Sequence, residues 1–150
     1  MADLVSTLTE TLTLNGSTIS STNAKTIAVT TASKQIVTVP ANTDTTVALF
    51  KSTVGVADIA LDVELVKYIR VTNLDGSNAV NLELTIDAGE DDSAADESAT
   101  ILLEAGRSFI MGTPSDGVSA AGPATPLHNL ESILVDSGAN EVTVEVFIAG

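Results

Sequence analysis

The stretch YIRVTNLDGSNAVNLEL, residues 68–84, decides the fold class because two segments of alternating polarity flank a turn-forming centre. In the second segment Val80, Leu82 and Leu84 fall on one side of an extended chain, and polar residues fall on the other. This period of two is that of a β-strand with one face in a core and one face in water. The centre contains Asn, Asp, Gly and Ser, which favour a chain reversal. The stretch therefore predicts a β-hairpin.

The same alternation recurs along the chain and predicts further strands. It is clearest from Val142 to Ile148, and near the N-terminus it stops at Asn15 and Gly16, a turn pair that tolerates positive φ angles. Residues 57–65 fit either a strand or a loop with one helical turn. The further strands are predicted at 7–14, 17–21, 26–30, 35–39, 46–51, 99–104, 107–111, 130–136 and 141–149. The last four are predicted to form two more hairpins across short turns.

Length and composition agree with an all-β domain. The chain has 150 residues, enough for one domain with a sizeable core. Hydrophobic residues make up 44% but aromatic residues only 3%, so the apolar mass is Val, Leu, Ile and Ala, and many of these favour strands. About nine or ten short strands with frequent turn signals predict a single antiparallel β-sandwich or a jelly roll over residues 1–150.

The charge balance excludes two classes of partner. Six Lys and Arg residues stand against twenty Asp and Glu residues, which gives a formal net charge of −14. Such a chain is repelled by nucleic-acid phosphates and by anionic membrane surfaces. No apolar run approaches the roughly 20 residues of a membrane helix. We therefore expect neither a nucleic-acid partner nor a membrane partner.

Two segments fall outside the strand pattern. Residues 87–97 carry six carboxylates, which could supply oxygen ligands to a cation such as Ca²⁺, but their spacing does not fit an EF-hand loop. We therefore expect a solvated acidic loop without a metal or cofactor. Residues 112–129 contain three Gly and three Pro residues and form a long connection for a compact domain. We expect this second loop to contact a partner.

Enzyme signatures are missing from the sequence. The chain has no cysteine, so thiolate metal sites are excluded, and any histidine-assisted site must use the single histidine, His128. Residues 117–122, GVSAAG, miss the spacing of a nucleophile elbow by one residue. Paired carboxylates could cleave a glycosidic bond, but the chain has one Tyr, three Phe and no Trp to hold a sugar. We therefore expect no catalytic residues and no enzymatic activity.

Four segments resemble small structural proteins encoded by tailed bacteriophages, including cyanophages. They are residues 1–20, the hairpin stretch 68–84, ILLEAGRSFIM at 101–111, and the closing ESILVDSGANEVTVEVFIAG at 131–150. The resemblance spans most of the chain but not the two loops at 87–97 and 112–129. It implies a virion component of the capsid decoration or cement type, without catalytic residues.

The expected function is therefore a non-enzymatic homotrimeric subunit on the capsid exterior that binds the major capsid protein and stabilises the shell. The alternatives are a tail or head-fibre module that recognises a host surface and, behind it, a glycan hydrolase. A short N-terminal arm, residues 1–6, and the loop at 112–129 are expected to make the contacts, because both place apolar groups outside the predicted strands. The candidate contact residues are Leu4, Val5, Leu8, Pro123, Pro126, Leu127 and His128.

Overall fold

The computed structural model describes residues 2–55, 58–87, 97–119 and 127–150, and this part of the chain is all β. The predicted fold class is confirmed. The described residues form eleven strands: β1 Ala2–Leu14, β2 Ser17–Val29, β3 Ala32–Val39, β4 Asp44–Lys51, β5 Leu61–Asp62, β6 Tyr68–Asn73, β7 Val80–Asp87, β8 Glu97–Leu103, β9 Ser108–Met111, β10 Asn129–Asp136 and β11 Val142–Ala149.

Strands β3 to β11 make two sheets that share one hydrophobic core. One sheet has the order β5-β4-β10-β7-β8, and the other has the order β3-β11-β6-β9. Along β11 the side chains of Val142, Val144, Val146 and Ile148 are buried, while those between them are only partly covered. Inward-facing residues of both sheets join one cluster, as the alternating pattern predicts.

The strand pairs are nested in the manner of a jelly roll. Strand β7 pairs with β8, β6 with β9, β4 with β10, and β3 with β11, all antiparallel. In the sequence, each of these pairs lies outside the pair named before it, so the four pairs together form one long hairpin. Two further pairings, β11 with β6 and β10 with β7, roll this hairpin into two sheets. Of the two predicted architectures, this topology is the jelly roll.

Three of the predicted hairpins are wrong. Strands β6 and β7 reverse direction at the predicted turn but lie in different sheets, and the same holds for β8 with β9 and for β10 with β11. In each case the connection crosses from one sheet to the other, over the edge of the core. The reason is that each of these strands pairs within its own sheet, β7 with β8 and β10 in one sheet and β6 with β9 and β11 in the other.

The segment at 57–65 fits neither prediction completely. Within its described part, the two-residue strand β5 runs parallel to β4, and a hydrogen-bonded turn follows. The amide of Val63 donates to Lys51 and the amide of Val66 donates to Asp62. Both valines are buried, so this turn closes one end of the core.

The N-terminal hairpin is longer than predicted and separate from the sandwich. Strands β1 and β2 form a two-stranded sheet of their own, with thirteen paired positions from Ala2 opposite Val29 to Leu14 opposite Ser17. The turn at Asn15 and Gly16 has the predicted positive φ angles, 50° and 80°. The arm expected at 1–6 is thus only the first part of a hairpin over residues 2–29, and the two short strands expected at 17–21 and 26–30 are one. We call residues 2–29 the arm and residues 32–150 the body.

Candidate interaction surface

The base of the arm is packed against the body. Leu4, Ile27 and Val29 form a second apolar cluster with three body residues, which are Tyr68, Phe147 and Ala149. The rings of Tyr68 and Phe147 meet edge to face, with their centroids 6.0 Å apart. The ammonium group of Lys67 also donates a hydrogen bond to the carbonyl oxygen of Ala28 at 2.9 Å. These contacts involve only the paired positions at the base of the arm, so the rest of the arm extends beyond the body.

The junction between arm and body is tied to the end of β11. The amides of Thr30 and Thr31 donate to the carbonyl oxygen of Gly150 at 2.5 Å and 2.8 Å. The amide of Gly150 donates back to the carbonyl oxygen of Thr31 at 3.0 Å. A side chain at Gly150 would overlap the carbonyl of Leu65, so the glycine permits the close approach. The direction in which the arm leaves the body is therefore fixed by backbone contacts.

The two faces of the arm differ in chemistry because strand side chains alternate between faces. One face, which we call the leucine face, carries the even-numbered residues of β1 and the odd-numbered residues of β2. Beyond the packed base, four large apolar side chains on it are 56% to 64% exposed: Leu8, Leu12, Leu14 and Ile19. Leu12 lies directly opposite Ile19, so the two form one apolar layer across the hairpin. Glu10 and Lys25 lie on the same face.

The opposite face of the arm, which we call the threonine face, is polar. The hydroxyl groups of Thr9 and Thr22 are 3.4 Å apart, and those of Thr13 and Thr18 are 3.2 Å apart. Val5 is the large apolar exception on this face and is 59% exposed. The arm is thus amphipathic although neither face is covered along most of its length.

The arm is almost neutral, whereas the body is strongly acidic. Two acids, Asp3 and Glu10, and one base, Lys25, give the arm a formal charge of −1. The body therefore carries −13 of the total charge of −14. The four exposed apolar side chains of the leucine face therefore lie on the part of the molecule with the lower net charge.

The predicted contact residues of the N-terminus do not lie together. Leu4 is half-buried at the base of the arm, Val5 points to the threonine face, and Leu8 points to the leucine face. The prediction missed Leu12 and Ile19, which form the most apolar layer of the leucine face. Two features of the sequence could have identified these two residues. They are the alternation within residues 7–14 and the register that the turn at Asn15 and Gly16 imposes on the second strand.

The predicted contact loop is described only at its two ends. Pro123 and Pro126 lie outside the described residues. Leu127 is 55% exposed, whereas His128 is half-buried and its amide donates to the carbonyl oxygen of Val118 at 2.8 Å. Other backbone bonds join this end to its own domain, including one from the amide of Leu130 to the carbonyl oxygen of Pro114 at 2.9 Å. The described ends of the loop are therefore held by internal contacts.

An ion cluster covers the outer face of the β3-β11-β6-β9 sheet near the arm. The carboxylate of Glu145 binds Lys34 at 2.7 Å and also pairs with Arg70. The hydrogen bond from Lys34, together with the charge of Arg70, holds the pKa of Glu145 below its usual value. The guanidinium of Arg70 lies 5.8 Å from the ring centroid of Phe147. This cluster joins three strands, and within it the Nε atom of Arg70 is buried without a hydrogen-bond partner among the described residues.

The turn inside the opening stretch is a self-contained hydrogen-bond network. The buried amide of Asn73 donates to the carbonyl oxygens of Asn78 at 2.8 Å and Leu103 at 3.2 Å. Its oxygen accepts from the amide of Asp75 at 3.0 Å. The carboxylate of Asp75 accepts from the amides of Asn78 and Ser77, and these bonds lower its pKa. The polar residues of this turn therefore shape the connection between the two sheets.

The structure brings together no chemical site within its described residues. Of the acidic segment 87–97, only Asp87 and Glu97 are described, and the described residues contain no group of three or more potential metal ligands. A cavity of about 50 Å³ lies between the sheets, bordered by Ser33, Gln35 and apolar side chains. That volume accommodates a few water molecules at most and is far smaller than a typical ligand pocket.

The chain matches no protein-family model, no curated protein and no solved structure in the three comparisons made. The part of the chain that the structure describes also contains no helix of the length and hydrophobicity needed to cross a membrane.

Proposed function

We propose that the protein is a non-enzymatic structural subunit of a virus particle, of the capsid decoration type. In this proposal it binds the outside of the shell formed by the major capsid protein and stabilises that shell. The observation that carries the proposal is the arm, an amphipathic hairpin that extends from a compact body and has its leucine face open. The assignment to a tailed bacteriophage rests on the sequence resemblance.

The open leucine face supports a role in assembly. An isolated two-stranded hairpin is marginally stable in water and usually needs further strands or a packed face. A contiguous exposed apolar surface on a soluble protein marks an interaction site. The arm combines both features while its base is fixed to the body. An arm of this kind gains most of its order and its burial when the protein joins an assembly.

The charge of the body supports a position outside the shell. A body with a charge of −13 is repelled by packaged nucleic acid, whereas the capsid exterior faces solvent. The same repulsion keeps free subunits apart before they bind. Trimer formation on the shell is part of the proposal.

The main alternative is a module that recognises a host-surface glycan, because lectin domains also use the jelly roll. Sugar sites commonly need an exposed aromatic ring, and this chain has four aromatic residues. Phe50 and Tyr68 are buried, and Phe109 and Phe147 are half-buried within the apolar clusters. The absence of an exposed aromatic platform favours the structural role over glycan recognition.

The test is binding to capsids of the virus whose genome encodes the chain, prepared without this protein. Purified protein should co-sediment with these capsids at a saturating ratio and raise their melting temperature, because a ligand that binds only the assembled state stabilises it. Cryo-electron microscopy should then show its density on the outer surface. Failure to co-sediment, or density on the inner surface, would refute the proposal.

A further inference from the structure

We propose that Asn15, at the tip of the arm, is a site of spontaneous deamidation, and that the isoaspartate product separates the two strands at that tip. The proposal concerns the chemistry of the chain itself, so it goes beyond the proposed function and does not depend on it. It rests on the residue that follows Asn15, on the hydrogen bonds of the turn, and on where the arm contacts the body.

Deamidation begins when the backbone nitrogen of the next residue attacks Cγ of an asparagine side chain. A bond forms between this nitrogen and Cγ, the nitrogen loses its proton, and the side-chain nitrogen leaves with that proton as ammonia. Water then opens the five-membered succinimide ring at one of its two carbonyl carbons. Cleavage between the nitrogen and Cγ gives aspartate. Cleavage between the nitrogen and the main-chain carbonyl carbon gives isoaspartate, whose main chain runs through Cγ.

The sequence singles out Asn15 for this reaction. Of the eight asparagines in the chain, only Asn15 is followed by glycine, and the others precede Ala, Thr, Leu or Glu. Glycine has no side chain to crowd its own nitrogen during the attack. A Cβ atom added to Gly16 would have no described atom within 4 Å beyond its chain neighbours. The surroundings of the reacting nitrogen are therefore open.

The hydrogen bonds of the turn do not involve the reacting nitrogen. Asn15 and Gly16 are exposed and form a two-residue turn with φ angles of 50° and 80°. In such a turn the backbone bonds join the two flanking residues, which here are Leu14 and Ser17. The amide of Gly16 lies outside this bonding. Its nitrogen therefore loses its proton without breaking a bond of the hairpin.

The position of the turn at the end of the arm allows the attack. Asn15 must rotate out of its left-handed conformation before the nitrogen of Gly16 reaches Cγ, so the turn has to open. The described contacts between arm and body lie at the base, where Leu4, Ile27 and Val29 pack on the body. A two-stranded hairpin is marginally stable by itself, and a segment with few buried contacts opens at a lower cost than the whole domain. The tip therefore opens while the body stays folded.

The two products have different effects on the arm. Isoaspartate adds one carbon to the main chain of a two-residue turn, and turn length fixes the register of a hairpin. The pairing of Leu14 with Ser17, and of Leu12 with Ile19 beyond it, is therefore lost. Aspartate keeps the ordinary main chain, and Asp-Gly suits the same turn. Both products add one negative charge, so only isoaspartate is expected to open the tip.

Peptide mapping of the full chain after incubation at mildly alkaline pH tests the site. Asn42 is the matched internal control, because it is also exposed and has a positive φ angle of 57°, but it precedes the β-branched Thr43. Deamidation at Asn15 should be at least about tenfold faster than at Asn42, which corresponds to a barrier lower by about 1.4 kcal/mol. Equal rates at the two asparagines, or an unchanged Asn15, would overturn the proposal.

Two variants control for the chemistry. Asn15→Gly keeps a residue that adopts positive φ angles but has no amide to lose, so the mass increase at the tip should disappear. A mass increase that persists in this variant would place the reaction elsewhere and overturn the assignment. Asn15→Asp, used freshly prepared, has the charge of the products with an ordinary main chain.

Hydrogen exchange measured by nuclear magnetic resonance tests the effect on the arm. The isoaspartate form, separated by chromatography, is compared with Asn15→Asp. The amides of Leu12 and Ile19 should exchange at least about tenfold faster in the isoaspartate form, because its tip is open more often. Equal exchange in the two forms would overturn the predicted separation of the strands.

The amide of Val144 in the core shows whether the opening is local. It should exchange equally slowly in every form, because Val144 belongs to the main core and has no part in the arm. Faster exchange at Val144 as well would mean that the whole domain opens, and it would overturn the local effect. None of these measurements uses capsids, so this proposal and the proposed function stand or fail separately.

Discussion

Replacing Asn73 tests whether the turn between β6 and β7 stabilises the sandwich. Asn73 is fully buried and makes three hydrogen bonds, two through its amide group and one through its oxygen. Each such bond contributes about 1 kcal/mol net, and a buried partner left without a bond adds to the loss. We expect Asn73→Ala to lower the free energy of unfolding by roughly 3 kcal/mol. In a chain of this length that corresponds to a melting temperature about 6–12 °C lower.

The assay is urea unfolding followed by far-ultraviolet circular dichroism, with Ser77→Ala as the control. Ser77 is exposed and contributes its backbone amide, not its side chain, to the turn, so this variant should unfold like the wild type. Asn73→Asp should be worse than Asn73→Ala near neutral pH, because a buried carboxylate would face two carbonyl oxygens. Its pKa in the folded state would be raised, so its penalty should shrink as the pH falls. A loss below about 1 kcal/mol for Asn73→Ala would refute the reasoning.

Three further predictions concern the core, the ion cluster and the acidic loop. Leu82→Ala in the core should lower the free energy of unfolding by about 2–5 kcal/mol. Leu12→Ala on the open arm should change the free energy of unfolding of the dilute monomer by less than about 1 kcal/mol. Equal losses of the two variants in urea unfolding would contradict the assigned burial. The bond from Lys34 lowers the pKa of Glu145, so the stabilisation from this ion pair is present above the unfolded pKa and is lost as the pH falls through the folded pKa. Glu145→Gln should therefore flatten the acid side of the plot of stability against pH. An unchanged plot would count against the pairing. A chelator should leave the melting temperature unchanged, and a fall of many degrees would show that residues 87–97 bind a cation.

The strand content could be predicted from the sequence because burial on one face leaves a period of two. The alternation from Val142 to Ile148 is reproduced residue by residue in the burial of β11. The pairing of strands could not be predicted in the same way. Turn residues such as Asn and Gly specify that the chain reverses, but they do not specify whether the next strand lies beside the first or across the core from it. That choice depends on partners more than 20 residues away, as with β6 and β9.

The open surface of the arm was only partly predictable. The alternation in residues 7–14 is that of an ordinary half-buried strand and places Leu8, Leu12 and Leu14 on one face, of which only Leu8 was predicted as a contact residue. Nothing in the local pattern distinguishes a leucine that faces its own core from one that faces a partner. The distinction arises because β3 to β11 complete both sheets without the arm, which leaves β1 and β2 to pair with each other.

The nested pairing of the body constrains how the chain folds. Strands β7 and β8 are the closest partners in sequence, while β3 must wait for β11, which is more than 100 residues away. Closing so long a loop carries a large entropic cost before any contact offsets it, so sheet formation should be slow and should proceed from the innermost pair outward. The arm hairpin needs only local contacts and can form within microseconds. During synthesis, β1 and β2 can therefore pair long before β11 emerges from the ribosome and completes the β3-β11-β6-β9 sheet.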